Sequence, residues 1–161
     1  MFINIGVIGG SVCSAEICDL AYRVGYLIGR KNAVLVSGGM GGVMLHACRG
    51  AKEAGGITVG ILPYGKEGAN EYVDIAIPTH YGLARNHLLV RAADALIAID
   101  GYIGTLSEIS FALNEGKTVI SLHSWELDRE RITKGRYIQA QSPEEAVELA
   151  FNAAVESSQI Q

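Results

Sequence analysis

The chain has little of what a membrane, secreted or metal-binding protein needs. Its 161 residues hold no apolar run approaching the thickness of a bilayer, and the longest runs are strand-sized. The three cysteines, Cys13, Cys18 and Cys48, cannot all pair within one chain, and none forms Cys-x-x-Cys. They read as reduced, buried thiols. The start, Met-Phe-Ile-Asn-Ile-Gly, carries neither the basic segment nor the cleavage site of a signal peptide, so the expected location is the cytoplasm. No metal site is expected: His46 and Cys48 lie two apart on a predicted helix and face different ways, and His80, His87 and His123 show no ligand spacing. Positive charge is scarce too. A formal net charge of −4 disfavours a partner such as nucleic acid, and the basic cluster Arg129, Arg131, Lys134 and Arg136 is interrupted by Asp128 and Glu130, as in a solvated connection. There is no Gly-Lys-Ser/Thr of a Walker loop. Gly6-x-x-Gly9-Gly10 does not have the G-x-G-x-x-G spacing of a dinucleotide fingerprint.

Apolar residues, at 49%, are plentiful and charged ones, at 19%, are not, which predicts one globular domain with a substantial core. Short apolar runs predict strands at 3–8, 33–36, 57–62, 73–77, 95–99, 118–122 and 136–139. Helical patterns fall between them, at 14–30, 43–54, 82–93, 105–115 and 142–156. Residues 64–72 form a polar loop, and 125–135 have no regular pattern. Ser142 followed by Pro143, Glu144 and Glu145 starts the last helix well: an N-cap, a proline in first position and acids in the first turn. Strands alternating with helices predict an α/β, doubly wound, Rossmann-like fold with a mostly parallel sheet and helices on both faces.

Residues 94–108 are the centre of the functional reading. Ala95 to Ile99 reads as a strand buried on both faces, broken by Asp100-Gly101-Tyr102-Ile103-Gly104. Thr105 stands where a helix N-cap would, and Glu108 follows three residues later as in a capping box. Strand, glycine turn and helix N-terminus in that order make an anion site. Two further glycine turns follow strands: Gly9-Gly10-Ser11 and Gly38-Gly39-Met40-Gly41-Gly42. In a parallel sheet all three turns lie at the C-terminal edge of the strands and surround one crevice. Gly10, Ser11, Gly38, Gly39, Met40, Gly41, Gly42, Gly101, Tyr102, Gly104 and Thr105 are therefore the candidate phosphate-binding residues.

Arg85-Asn86, Arg91, Ala93-Asp94-Ala95 and the run Asp100 to Glu108 resemble the paired signatures of the LOG family, an Arg-Lys pair and P-G-G-x-G-T-x-x-E. Ser37 to Met44 is similar to that family's first glycine motif, and Gly9-Gly10-Ser11 to its opening loop. In length and in the wording Gly104-Thr-Leu-Ser-Glu108 the chain is most similar to the short, DprA/Smf-related members, whose neighbourhood includes a molybdenum-cofactor carrier protein. The resemblance implies a nucleoside 5′-monophosphate phosphoribohydrolase, which splits its substrate into base and ribose 5-phosphate, or a non-catalytic carrier of a nucleotide or pterin-type cofactor. It implies no required cofactor, a bound nucleotide, phosphate or molybdopterin-type ligand, and a homodimer or dimer-based tetramer. The name "lysine decarboxylase" attached to the family has no support in the surroundings of Lys31, Lys52, Lys66, Lys117 or Lys134.

Under that resemblance Glu108 is the carboxylate that stabilises positive charge on ribose and activates water. On its own pattern it is the capping partner of Thr105, and both roles stand. Arg85 alone reads as a surface helix arginine. The resemblance makes it a ligand of phosphate or of the leaving base. Arg91, six residues on, faces away from Arg85, toward another part of the crevice or a subunit interface, and Asp94 anchors the start of its strand. The family's lysine is Asn86 here, and Asp100 and Tyr102 replace a proline and a glycine of its second motif.

Overall fold

The computed structural model describes residues 1–158. Its seven strands are β1 (Asn4–Gly9), β2 (Val34–Ser37), β3 (Ile57–Leu62), β4 (Ile75–Pro78), β5 (Ala95–Ile99), β6 (Thr118–Leu122) and β7 (Arg136–Gln139). They form one sheet in the order β4-β3-β2-β1-β5-β6-β7, and every neighbouring pair is parallel. The helices are α1 (Ala15–Arg30), α2 (Val43–Glu53), α3 (Arg85–Ala92), α4 (Ile103–Asn114) and α5 (Pro143–Ser158). The expected alternation is present. In 82–93 the first residues, Gly82–Ala84, form a 3-10 turn that leads into α3.

Alternating side chains of the central strands feed two cores. Ile5, Val7, Leu35, Ile97, Ile99 and Ile120 pack under α1, α2 and α5. Ile8, Val36, Leu96, Ala98 and Val119 pack under α3 and α4 on the opposite face. β5 and β6 are buried along their whole length, as continuous apolar runs in a covered parallel sheet should be. Asp94 closes the register at the start of β5, because its Oδ2 accepts the Asn4 N–H at 2.8 Å. Ser142 caps α5 by accepting from Glu145 N at 3.2 Å, and Ser14 caps α1 by accepting from Ile17 N at 3.3 Å.

The strand order reverses between β1 and β5, so the turns after these two strands flank the switch point where a doubly wound sheet opens a crevice. The turn after β2 lies beside them. Helices α1 and α2 approach closely enough to require glycine: a Cβ on Gly25 would stand 1.9 Å from the Ala47 carbonyl oxygen, and one on Gly50 2.0 Å from that of Tyr22.

Two expectations fail. Thr105 is not an N-cap and the Thr105–Glu108 box does not form: α4 begins at Ile103 after Tyr102, with no side-chain cap. Left-handed backbone at Asp100 (φ 48°) and Gly101 (φ 101°) turns the chain early, so Thr105 and Glu108 fall inside the helix on its buried face. Nor are all the cysteines free thiols, because Cys13 and Cys18 form a disulfide and Cys48 alone is free and buried. Cys13 lies just before the Ser14 cap and Cys18 on the first turn of α1, an adjacency that a search for Cys-x-x-Cys cannot see.

The α1–α2 contact gives a direct test. Gly25→Ala forces the two helices apart and is expected to cost about 2–3 kcal/mol, the scale of overpacking, read as a lowered urea midpoint. An unchanged midpoint would contradict the close approach.

Candidate active site at the switch point

The three glycine turns meet. The Tyr102 ring lies against Gly10, 3.2 Å from where a Cβ would be. Gly42, with φ 58°, presses on the Gly10 and Ser11 backbone, where a Cβ would come within 2.3 Å of the Gly10 oxygen. Gly41 faces the Ser11 oxygen, and Val43 N donates to Gly10 O at 3.0 Å. Gly10, Ser11, Gly41, Gly42 and Tyr102 are thus brought to one place. Gly39 (φ 71°) packs instead against Gly60 of β3, and Gly104 is exposed with no neighbour within 4 Å of a Cβ position. Thr105 covers Gly101, whose Cβ would collide with the threonine side chain.

Arg85 is the first residue of α3, and it is no surface arginine. Its side chain passes under the β2–α2 turn, 7% exposed, and Nη1 donates to the Ile61 carbonyl at 2.7 Å. Nη2 points at Met40 Sδ, 3.9 Å away. A Cβ on Gly38 would sit 2.1 Å from Nη1, so Gly38 is glycine because the guanidinium occupies that space. Nε is the one buried side-chain nitrogen or oxygen without a hydrogen-bond partner among the described residues. Burial pulls this arginine below its ordinary pKa and Glu108 opposes the shift, but a guanidinium remains charged.

Glu108 faces the same interior from α4, 7% exposed, and accepts no hydrogen bond among the described residues. Desolvation pushes its carboxyl up from 4.5 to about 8, and the nearby Arg85 charge offsets only part of that. At neutral pH the acid is therefore protonated. No direct ion pair closes between the two side chains, although each charge acts on the other.

Two supports were not singled out as site residues from sequence. Asn70, in the polar loop after β3, donates from Nδ2 to Met40 O at 2.8 Å, and its N–H donates to Gly39 O at 2.8 Å, so it holds the β2–α2 turn. Ser37 Oγ accepts from Gly39 N at 3.0 Å. The signal for Asn70 was its place in a polar loop at a strand's C-terminal end. Asn86 is buried beside Arg85. Arg91 is exposed, and its Nε lies 3.5 Å from the Glu115 carboxylate. A cavity of about 450 Å³ lies elsewhere, between α4 and residues 127–134, and none of the glycine turns lines it.

Residues 2–148 match the SLOG cluster4 family. The chain belongs to that family. It is 44% identical over 153 residues to an uncharacterized protein of Archaeoglobus fulgidus, covering 95% of this chain and 97% of that one. It is 31% identical over 121 residues to a cytokinin riboside 5′-monophosphate phosphoribohydrolase of Mycobacterium tuberculosis, spanning 69% of this chain and only 65% of that enzyme. The molybdenum cofactor binding protein of Rippkaea orientalis has the same fold at a TM-score of 0.85 and 37% identity, over 100% of this chain and 99% of the other. The relationship expected from the 37–44 and 100–108 motifs holds.

The buried acid makes stability depend on pH with a definite sign. Between pH 4.5 and about 8 the folded chain keeps a proton on Glu108 that the unfolded chain has lost, so stability falls as pH rises through this window. Glu108→Gln is expected to remove that decline and to stabilise the protein by a few kcal/mol above pH 8, read from urea midpoints across pH. Equal pH profiles for wild type and variant would refute the buried neutral acid.

Proposed function

We propose that the crevice binds a phosphate-bearing nucleotide, with its phosphate at the glycine turns of β1, β2 and β5 and its sugar between Arg85 and Glu108. The observation that carries this reading is the pairing of a buried, incompletely bonded guanidinium with a carboxyl held neutral. Arg85 supplies a desolvated positive charge with donor capacity remaining, which suits an oxyanion. A protonated Glu108 donates a hydrogen bond to a hydroxyl or phosphate oxygen without repelling it, and the turns contribute backbone N–H groups.

The reaction this arrangement supports is hydrolysis of a nucleoside 5′-monophosphate. Water adds to C1′ of the ribose, the C1′–N bond breaks, and its electron pair leaves with the base, which takes up a proton. The products are base and ribose 5-phosphate. Positive charge develops on the sugar in the transition state, and an ionised Glu108 would stabilise it and accept a proton from water. That ionised form dominates only above about pH 8, so the rate should rise through that pH.

A second reading, a carrier of a pterin-type cofactor, has its own support. The Tyr102 ring against Gly10 offers a stacking face where the family's hydrolase motif has glycine. The similarity to the Rippkaea orientalis protein also runs the whole length of both chains.

Binding and ribose 5-phosphate release from a panel of nucleoside monophosphates, beside binding of molybdopterin, separate the two. The hydrolase reading expects release that increases with pH, is abolished in Glu108→Gln with binding retained, and is accompanied by at least a tenfold loss of affinity in Arg85→Ala, about the value of a charge-assisted hydrogen bond. Tyr102→Gly should then raise nucleotide affinity. Molybdopterin binding that Tyr102→Gly weakens, with no release from any monophosphate, selects the carrier. Failure to bind either class would overturn the crevice assignment.

A further inference from the structure

The turn that carries Cys13 and the first turns of α1 and α2 converge on a second group of reactive side chains. Cys18 lies one helical turn inside α1, with its N–H on Ser14 O at 2.9 Å. His46 occupies the equivalent place in α2, with its N–H on Gly42 O at 3.1 Å. The two sulfurs and a ring nitrogen of His46 all lie within 4.8 Å of one another, and all three residues are half-buried. The imidazole makes no hydrogen bond to protein among the described residues. Cys48 is not a member: it is buried on the far side of its helix, 3.5 Å from Ser37 Oγ.

We propose that in its dithiol state this group, Cys13, Cys18 and His46, is a binding site for a thiophilic divalent cation, zinc in particular, with the fourth position open. The Cα atoms of the two cysteines are 5.7 Å apart, which suits chelation of one ion as well as the disulfide. Donors at about 2.0–2.3 Å from a tetrahedral centre stand roughly 3.3–3.8 Å from one another. The ligand atoms already lie within 4.8 Å of one another, so the proposal asks only side-chain rotation of the released sulfurs. Two thiolates neutralise the ion's charge and a neutral imidazole completes the set. Expected softness selects zinc over magnesium or calcium.

The chemistry balances as follows. A dithiol reductant gives two electrons and two protons to the Cys13–Cys18 bond and is itself oxidised to a disulfide. Zinc then displaces two protons from the thiols. Disulfide and metal site are thus mutually exclusive forms of one pair, next to the crevice, since Gly41 and Gly42 press on Ser11 two residues before Cys13. Neither form depends on the nucleotide reading.

The test is a cobalt titration of the whole chain, reduced and kept anaerobic, followed by zinc competition. One cobalt ion per chain is expected, with thiolate-to-cobalt charge-transfer absorption and the intense visible bands of tetrahedral geometry, all lost when zinc is added. Cys13→Ser and Cys18→Ser should each lose the charge-transfer band of the pair. His46→Ala should weaken binding at least about tenfold, and Cys48→Ala should leave it unchanged. Protein oxidised to the disulfide should bind none. Absence of stoichiometric binding by the reduced wild type, equal affinity in His46→Ala, or loss confined to Cys48→Ala would overturn the proposal.

Discussion

The crevice depends on one interaction, the burial of a guanidinium beneath the turn after β2. Arg85 can lie there only because residue 38 has no side chain, and it is held by the Ile61 carbonyl at the end of β3. A charge in this position costs free energy unless something opposes it. Glu108 is the group placed to do so, but its own desolvation keeps it protonated at neutral pH. The folded chain therefore carries an arginine whose charge is only partly compensated, buried beneath a glycine turn. On the reading proposed above, an anionic ligand would supply the missing compensation.

Everything around that pair serves to hold the turns. Asn70 and Ser37 fix the turn after β2, Gly42 lets that turn press on the one after β1, and Tyr102 closes the side facing β5. The switch in strand order places these turns together, and the close α1–α2 packing at Gly25 and Gly50 sets how the first two helices present their N-termini. The same convergence of helix starts gathers Cys13, Cys18 and His46. One fold-level constraint thus produces both groupings.

Much of this was legible in the sequence, for identifiable reasons. Strands buried on both faces write themselves as unbroken apolar runs, so β5 and β6 were visible directly. A parallel sheet puts strand-end turns on one edge, so three glycine clusters implied one crevice. Asp94 was readable as an anchor because it opens a buried strand. The failures have two causes, local backbone geometry in some and contacts between residues distant in sequence in others. Thr105 and Glu108 carry the local signature of a capping box, but the Asp100–Gly101 turn starts the helix earlier and rotates both inward. Arg85 reads as exposed until the fold lays it under Gly38. Cys13 and Cys18 lack a recognised spacing, and His46 joins them only through the packing of α1 on α2.

The most direct test of the account is the ionisation of Glu108 in the folded protein, followed by its side-chain carboxyl carbon in an NMR titration with and without ribose 5-phosphate. The account predicts a midpoint near 8 in the free protein, moved higher when the phosphate sugar is bound beside it. A midpoint at the ordinary 4.5, unmoved by the ligand, would contradict both the buried neutral acid and its place in the crevice.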